Sequence, residues 1–329
     1  MDRSKSRGRA PSFFLPFVPS PAFVILSSVK VTFLGTSGSF PTAGRNVTSH
    51  CVWVKGETIL LDCGEGAQRQ LRRSSHRFGV DRIFLSHLHL DHCLGLAGFV
   101  GTMGLLQRTE ALRVYTPSGT RKRVEDLVGE RDFPIDLVEL DDGSEVRAEG
   151  FKIVAARVEH SGPALAFRIE EDVRPGRVDV VKAKAVGIDP GPLMGQLIRD
   201  GKVTVNGREV LAESCVGPPR PGRSVVYSGD TRPCRAVAKL AEGADLLIHE
   251  ATYTTELEEE ANLRRHSTAA GAARIAREAR VRRLALTHIS QRHQEPDELR
   301  KLVAEARAIF KESWAPNDLE EIEIPHVEP

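Results

Sequence analysis

The hydrophobic and polar positions of this chain repeat one figure: a short apolar run of strand length, then a turn that opens on a polar or ionisable residue. Val29 to Gly35 reads Val-Lys-Val-Thr-Phe-Leu-Gly, and His50 to Val54 with Thr58 to Asp62 reads as a hairpin of two further strands. The run that starts at Arg82 leads straight into His87. Leu112 to Leu140 alternates strand, helix (Thr120 to Val128) and strand, and Phe151 to Val158, Ser224 to Tyr227, Ala244 to Ile248 and Arg283 to Thr287 are four more strands. Helical patterning covers Glu65 to Arg73, Cys93 to Gln107 and the Ala-rich Ala269 to Ala279, with Ser267 or Thr268 placed to cap the last. Strands alternating with helices predict an α/β domain. Residues 171 to about 222 break the rhythm with Pro175, Pro190, Pro192, Pro218, Pro219 and Pro221. An irregular insert of that length in a compact domain points to a function of its own.

The chemistry gathers where the strands end. The densest stretch is His87-Leu88-His89-Leu90-Asp91-His92. Residues two apart leave a strand on one side, so His87 and His89 share a face, and Asp91 sits near the first turn of the following helix. Neutral imidazoles with a carboxylate suit zinc, and four such groups at one corner suit two metal ions better than one. Other strand ends deliver Asp62, His160, Asp230, His249-Glu250 and His288. Ligand binding at the carboxyl ends of strands is what an α/β scaffold makes easy. Asp62 reads either as a carboxylate that orients a histidine or as a cap for the helix after it.

Composition narrows the class. With 329 residues, 40% of them hydrophobic, the chain can bury a sizeable core, and a net charge of +1 lacks the strong basicity usual in nucleic-acid binders. The five cysteines, without C-x-x-C spacing, are expected to be reduced and mostly buried, which fits a cytoplasmic protein. No segment after residue 29 has the roughly 18 uninterrupted apolar residues of a membrane helix. Residues 1–29 begin basic and turn apolar, but Pro16, Pro19 and Pro21 interrupt the apolar stretch. They are expected to be a disordered extension or the product of an upstream start, ahead of a domain at 30–329.

The His87 to His92 run resembles the signature of the metallo-β-lactamase superfamily. Within it, Pro41-Thr42-Ala43-Gly44-Arg45-Asn46, His249-Glu250-Ala251-Thr252, His266-Ser267-Thr268 and the Gly191-Pro192 stretch resemble motifs of the ribonuclease Z family, over about Lys30 to Gln294. The resemblance implies an αββα sandwich carrying a flexible arm at about 171–222. It implies two Zn²⁺ per subunit, one held by His87, His89 and His160, the other by Asp91, His92 and His288, with Asp230 between them and Asp62 orienting a histidine. It further implies an endoribonuclease that removes the 3′ trailer of precursor tRNA by attack of zinc-activated hydroxide and leaves a 3′-hydroxyl. Asp91 would accept the water proton, and His266, kept protonated by Glu250, would donate to the leaving oxygen. His249, Arg45, Asn46, Gly191 and Pro192 would support the site or handle RNA, and the chain would act as a cytoplasmic homodimer whose arm presents tRNA to the partner's site. Two other readings stay open to the sequence: a small-molecule hydrolase of the same fold, and a non-catalytic RNA-binding protein.

Overall fold

In the computed structural model the described residues are 28–75 and 79–326, so almost all of the expected N-terminal extension lies outside them. Two seven-stranded sheets face each other. The first contains β1 (Val29–Gly35), β2 (Ser49–Val54), β3 (Glu57–Leu61), β4 (Arg82–Phe84), β5 (Leu112–Pro117), β6 (Ile135–Leu140) and, at its far edge beside β1, β16 (Glu321–Ile324). The second holds β7 (Glu145–Ala148), β8 (Phe151–Arg157), β9 (Leu165–Glu171), β12 (Ser224–Tyr227), β13 (Leu246–Glu250), β14 (Arg283–Thr287) and β15 (Ser313–Trp314). Hairpin β10 (Lys202–Val205) and β11 (Arg208–Leu211) stands apart. β3 to β6 run parallel, as do β12 to β15.

The inner strands of each sheet are buried on both faces, which accounts for sequences that read as near-continuous apolar runs. Phe33, Phe84, Phe151, Phe167 and Tyr227 meet between the sheets. The outer face of the first sheet is covered from α1 (Ala67–Arg73), α2 (Leu90–Cys93), α3 (Gly95–Leu105) and α4 (Arg121–Val128), through Leu71, Cys93, Phe99 and Val124. Past the arm, α7 (Arg235–Leu240), α9 (Ala269–Glu278) and α10 (Pro296–Arg307) cover the second sheet through Val237, Ala272 and Leu302, and α8 (Glu258–Arg264) precedes α9. The result is the αββα sandwich expected from the resemblance. Thr268, not Ser267, caps α9, accepting from the Gly271 amide at 3.0 Å. The strand expected over Ala244 to Ile248 runs Leu246–Glu250, two residues on, and so carries His249 and Glu250 within it.

The insert is the main departure from the sequence reading, because it is folded and not irregular. It contains α5 (Val180–Ala185), α6 (Pro192–Asp200) and the β10–β11 hairpin, around a small core of Ala183, Ile188, Met194, Leu197 and Val203. Its elements are too short for periodicity to declare them, but Asn206-Gly207, both left-handed, is the turn signal a tight hairpin requires. Pro192 opens α6, where a missing amide proton costs nothing. At the arm's root Arg174 and Arg220 exchange both backbone hydrogen bonds, and the buried Arg223 guanidinium donates to Glu171 at 2.7 and 2.8 Å. Breaking a buried pair of that kind costs about 3–5 kcal/mol, so the root is fixed to the second sheet.

With its own core and two facing residues at its root, the arm is removable. Replacing residues 175–219 by Asn-Gly should leave a cooperatively folding protein. Loss of a sharp thermal transition in circular dichroism would show that the sandwich depends on the arm.

Candidate active site

Strands of both sheets end at one rim, and the ligand-type residues of the sequence meet there. β4 leads to His87, His89, Asp91 and His92, β8 to His160, β12 to Asp230 and β14 to His288. One set of mutually close ligand atoms comprises His87, His89, His160 and Asp230, and another Asp91, His92 and His288. Asp230 Oδ2 lies 3.6 Å from His87 Nε2, 3.3 Å from His92 Nε2 and 3.2 Å from His288 Nε2, and so stands between the two sets. Asp91 Oδ2 is 3.2 Å from His288 Nε2 and 3.5 Å from His92 Nε2.

An outer layer of hydrogen bonds decides which nitrogen each ring turns inward. Ser86 and Thr252 give their hydroxyl protons to Asp62 (2.7 Å) and Glu250 (2.7 Å). Each hydroxyl has one proton, so each can only accept from the adjacent histidine Nδ1: His87 at 3.0 Å and His288 at 2.8 Å. His92 Nδ1 donates to Asp62 Oδ2 at 2.7 Å, and His160 Nδ1 to the Arg265 carbonyl at 3.2 Å. Four imidazoles are thereby fixed with Nε2 facing the site, which is the tautomer a metal ligand needs. His89 is reversed: Nε2 lies 3.4 Å from Ser161, and Nδ1 is 3.0 Å from His87 Nε2 and 3.2 Å from His160 Nε2.

Asp62 orients His92 and does not cap a helix, since Gly66 holds that position. It also accepts from the Ser86 amide at 2.6 Å and the Tyr227 hydroxyl at 2.6 Å. Asp62 and His288 both have left-handed backbones, φ 58° and 55°, a cost met at positions that surrounding structure over-determines. Gly38 packs against the His288 ring so closely that a Cβ would lie 2.4 Å from it.

These groups suit cations. His92 Nε2 and Asp230 Oδ1 are buried without a hydrogen-bond partner, which is expensive unless an ion satisfies them. Burial opposes charge on His92, yet Asp230, Asp62 and Asp91 outweigh it and hold its pKa well above the ordinary value. Burial also opposes charge on Asp230, but His288 and His92 keep it well below the usual carboxylate range. A cation entering here must displace a proton from His92, so its binding weakens as pH falls.

His266 comes within 4.0 Å of Asp230, but its Nδ1 is taken by Glu250 Oε1 at 2.8 Å. Its ring lies nearly parallel to that of His288, 5.3 Å between centroids, so it lies face to face with that ring instead of pointing at its ligand nitrogen. Burial alone would lower its pKa, but the Glu250 charge and hydrogen bond, with Asp230, raise it to about 9. Glu250 is itself held by the Thr231 and Ser267 amides at 2.8 and 3.0 Å.

Three sequence expectations change. His249 shares its strand face with Leu247 of the helix-covered core and bonds the Glu250 carbonyl at 2.8 Å, so it reaches the site only through its neighbour. Arg45, expected to support the site or handle RNA, is buried, and its guanidinium donates to Thr36 and to the Pro316 carbonyl. It braces the loop from beneath and is not free to grip RNA. Asn46 is half-buried, its amide side chain donating to the Glu65 carbonyl at 2.7 Å. Gly191 and Pro192 are exposed on the arm, outside the cluster. The supports Ser86, Thr252, Tyr227 and the Arg265 carbonyl escaped the sequence reading, and among them only Thr252, inside a quoted motif, carried a signal.

Removing Asp62 leaves His92 free to rotate or change tautomer. Asp62→Ala should weaken metal binding on the order of 10–100-fold, and competition with a coloured chelator would measure it. Unchanged affinity would contradict the orienting role.

The model of the metallo-beta-lactamase superfamily matches residues 43–288. The ribonuclease Z of Methanosarcina acetivorans is 41% identical over 303 residues, 91% of this chain and 99% of that protein. That of Myxococcus xanthus is 43% identical over 87% of this chain and 94% of its own length. The crystal structure of the short form of human tRNase Z superposes with a TM-score of 0.63 at 27% identity, over 90% of this chain and 99% of that one. By these matches, the chain belongs to the ribonuclease Z family of the metallo-β-lactamase superfamily.

Proposed function

We infer that this chain is a metal-dependent endoribonuclease that removes 3′ trailers from precursor tRNA. The observation that carries the reading is the pairing of two kinds of machinery at one rim. Six ligand-type groups gather around a seventh, Asp230, and a charged imidazole–carboxylate pair, His266 with Glu250, stands at their edge. We assign two zinc ions to the site, one to His87, His89 and His160 and one to Asp91, His92 and His288, with Asp230 shared. Bound zinc lowers the pKa of water and neutralises charge on phosphoryl oxygens.

The protein's own groups supply the rest. Asp91 is held by the Ser39 amide at 2.7 Å, and His92, with His288 beside it, keeps it ionised against the cost of burial and able to accept the proton of the attacking water. The ribose 3′-oxygen leaves as a hydroxyl only if it is protonated. His266 is the donor, and Glu250 holds its proton in place at neutral pH. We further assign the arm, with Gly191 and Pro192 exposed at the start of α6, to tRNA, in a cytoplasmic homodimer whose subunits exchange arms across their sites. No helix among the described residues is long and apolar enough to cross a membrane.

Incubation with a precursor tRNA, followed by mapping of the product ends, tests this directly. Wild-type protein should yield a mature 3′-hydroxyl end, Asp91→Ala should give no product, and the arm-excised protein should lose precursor tRNA while still hydrolysing a small phosphodiester. Turnover by Asp91→Ala would defeat the site assignment. The acid role has its own signature: with His266 near pKa 9, kcat should fall as pH rises through about 9, and His266→Ala should remove that limb along with most of the rate.

A further inference from the structure

Among the described residues Phe40 is the one large aromatic side chain left exposed, with half of its surface accessible. It stands beside the metal-type cluster. Its neighbour Ser39 donates its amide to Asp91 Oδ2 at 2.7 Å, and Leu90, which precedes Asp91, is 63% exposed. Asp91 thus has an apolar side chain next to it in sequence and another next to its backbone donor.

The turn that carries Phe40 is held on every side. The Phe40 amide donates to the Gly38 carbonyl at 2.8 Å, the Ser37 hydroxyl donates to the Phe40 carbonyl at 3.1 Å, and the Gly38 amide donates to the Ile289 carbonyl at 3.1 Å. Ser39 adopts a left-handed φ of 66° to make the turn. Burying Phe40 would have been the cheaper outcome for a side chain of its size. Here the backbone is instead fixed so that the ring stays in water at the rim.

We propose that Phe40 is a stacking platform for the unpaired nucleobase that adjoins the scissile phosphate, with Leu90 as a second apolar contact. The chemistry around the metal-type groups is charged and suits a phosphate, and it offers no large apolar ring to the flat face of a base. A rigid exposed ring one residue from the Asp91 donor offers that face. Single-stranded RNA is bound in this way because every base has a π surface to stack on an aromatic side chain, whatever its identity. Stacking would fix the sugar–phosphate on one side of the cleaved bond and so align the leaving oxygen with His266. Phe40 is therefore a substrate-positioning residue, and the proposal rests on the ribonuclease reading above.

The test couples the side chain to the base. Precursor tRNAs are prepared intact, with an abasic ribose at the last retained nucleotide, and with one at the first nucleotide removed. Each is cleaved under kcat/KM conditions by wild-type protein, Phe40→Ala, Phe40→Leu and Phe40→Trp. Phe40→Ala and Phe40→Leu should cleave the intact precursor about ten-fold more slowly, the scale of one lost base–aromatic stack, while Phe40→Trp retains the rate. On one of the two abasic substrates the penalty of Phe40→Ala should vanish. An equal penalty on all three substrates, or full activity of Phe40→Leu, would overturn the proposal in favour of a contact between proteins or a purely apolar one. Failure of the wild-type protein to cleave any precursor would instead refute the ribonuclease reading on which it rests.

Discussion

Four donors converge on the Asp62 carboxylate, and the rim depends on them. The Ser86 amide and hydroxyl come from the end of β4, His92 from the turn that follows, and Tyr227 from the end of β12 in the other sheet. One buried anion therefore ties the two sheets together at the place where their strands stop. It also sets the direction of His92 and, through the Ser86 hydroxyl, of His87. Glu250 repeats the device from the second sheet, fixing His288 through Thr252 and His266 directly. Two carboxylates that need touch no metal thus hold four of the imidazoles.

The electrostatic consequence follows from burial. Five histidines and two carboxylates in a small volume repel and attract one another strongly, because little water reaches them. Asp230 and Asp91 stay ionised against the cost of burial, and His92 and His266 are driven up by the anions around them. His87, surrounded mainly by other histidines, is driven down by burial and by His92. The site is poised to exchange a proton for a cation at His92 and to keep one at His266.

Distance from the rim separates the remaining features by what they can do. The arm is a folded appendage with its own core, joined to the body by a short antiparallel bridge and a buried Arg223–Glu171 pair. The loop at 39–46 is the opposite case. Arg45 and Asn46 anchor it inward, Ser39 attaches it to Asp91, and Phe40 is the large apolar side chain it presents to solvent. A motif that reads as a gripping arginine is physically a brace.

The sequence by itself determined the scaffold and the chemistry of its rim. Strand-length apolar runs marked Val29–Gly35, Ser224–Tyr227 and Arg283–Thr287 to the residue, because a strand buried on both faces has no other way to read. The polar residues after several of these runs, His160, Asp230 and His288 among them, named ligand-type groups, and the His87 to His92 run carried the resemblance to the superfamily. What the sequence could not decide was direction and company. His249 and Glu250 are adjacent and equally polar, yet strand alternation sends one into the core and the other to the site. Arg45 needed Pro316, 271 residues away, to become a buried brace, and Tyr227 needed Asp62, 165 residues away, to become a support. The arm's elements of four to nine residues are held by one another and not by their own periodicity. Pairings across such separations carry no local signature, and so the tertiary structure alone could settle them.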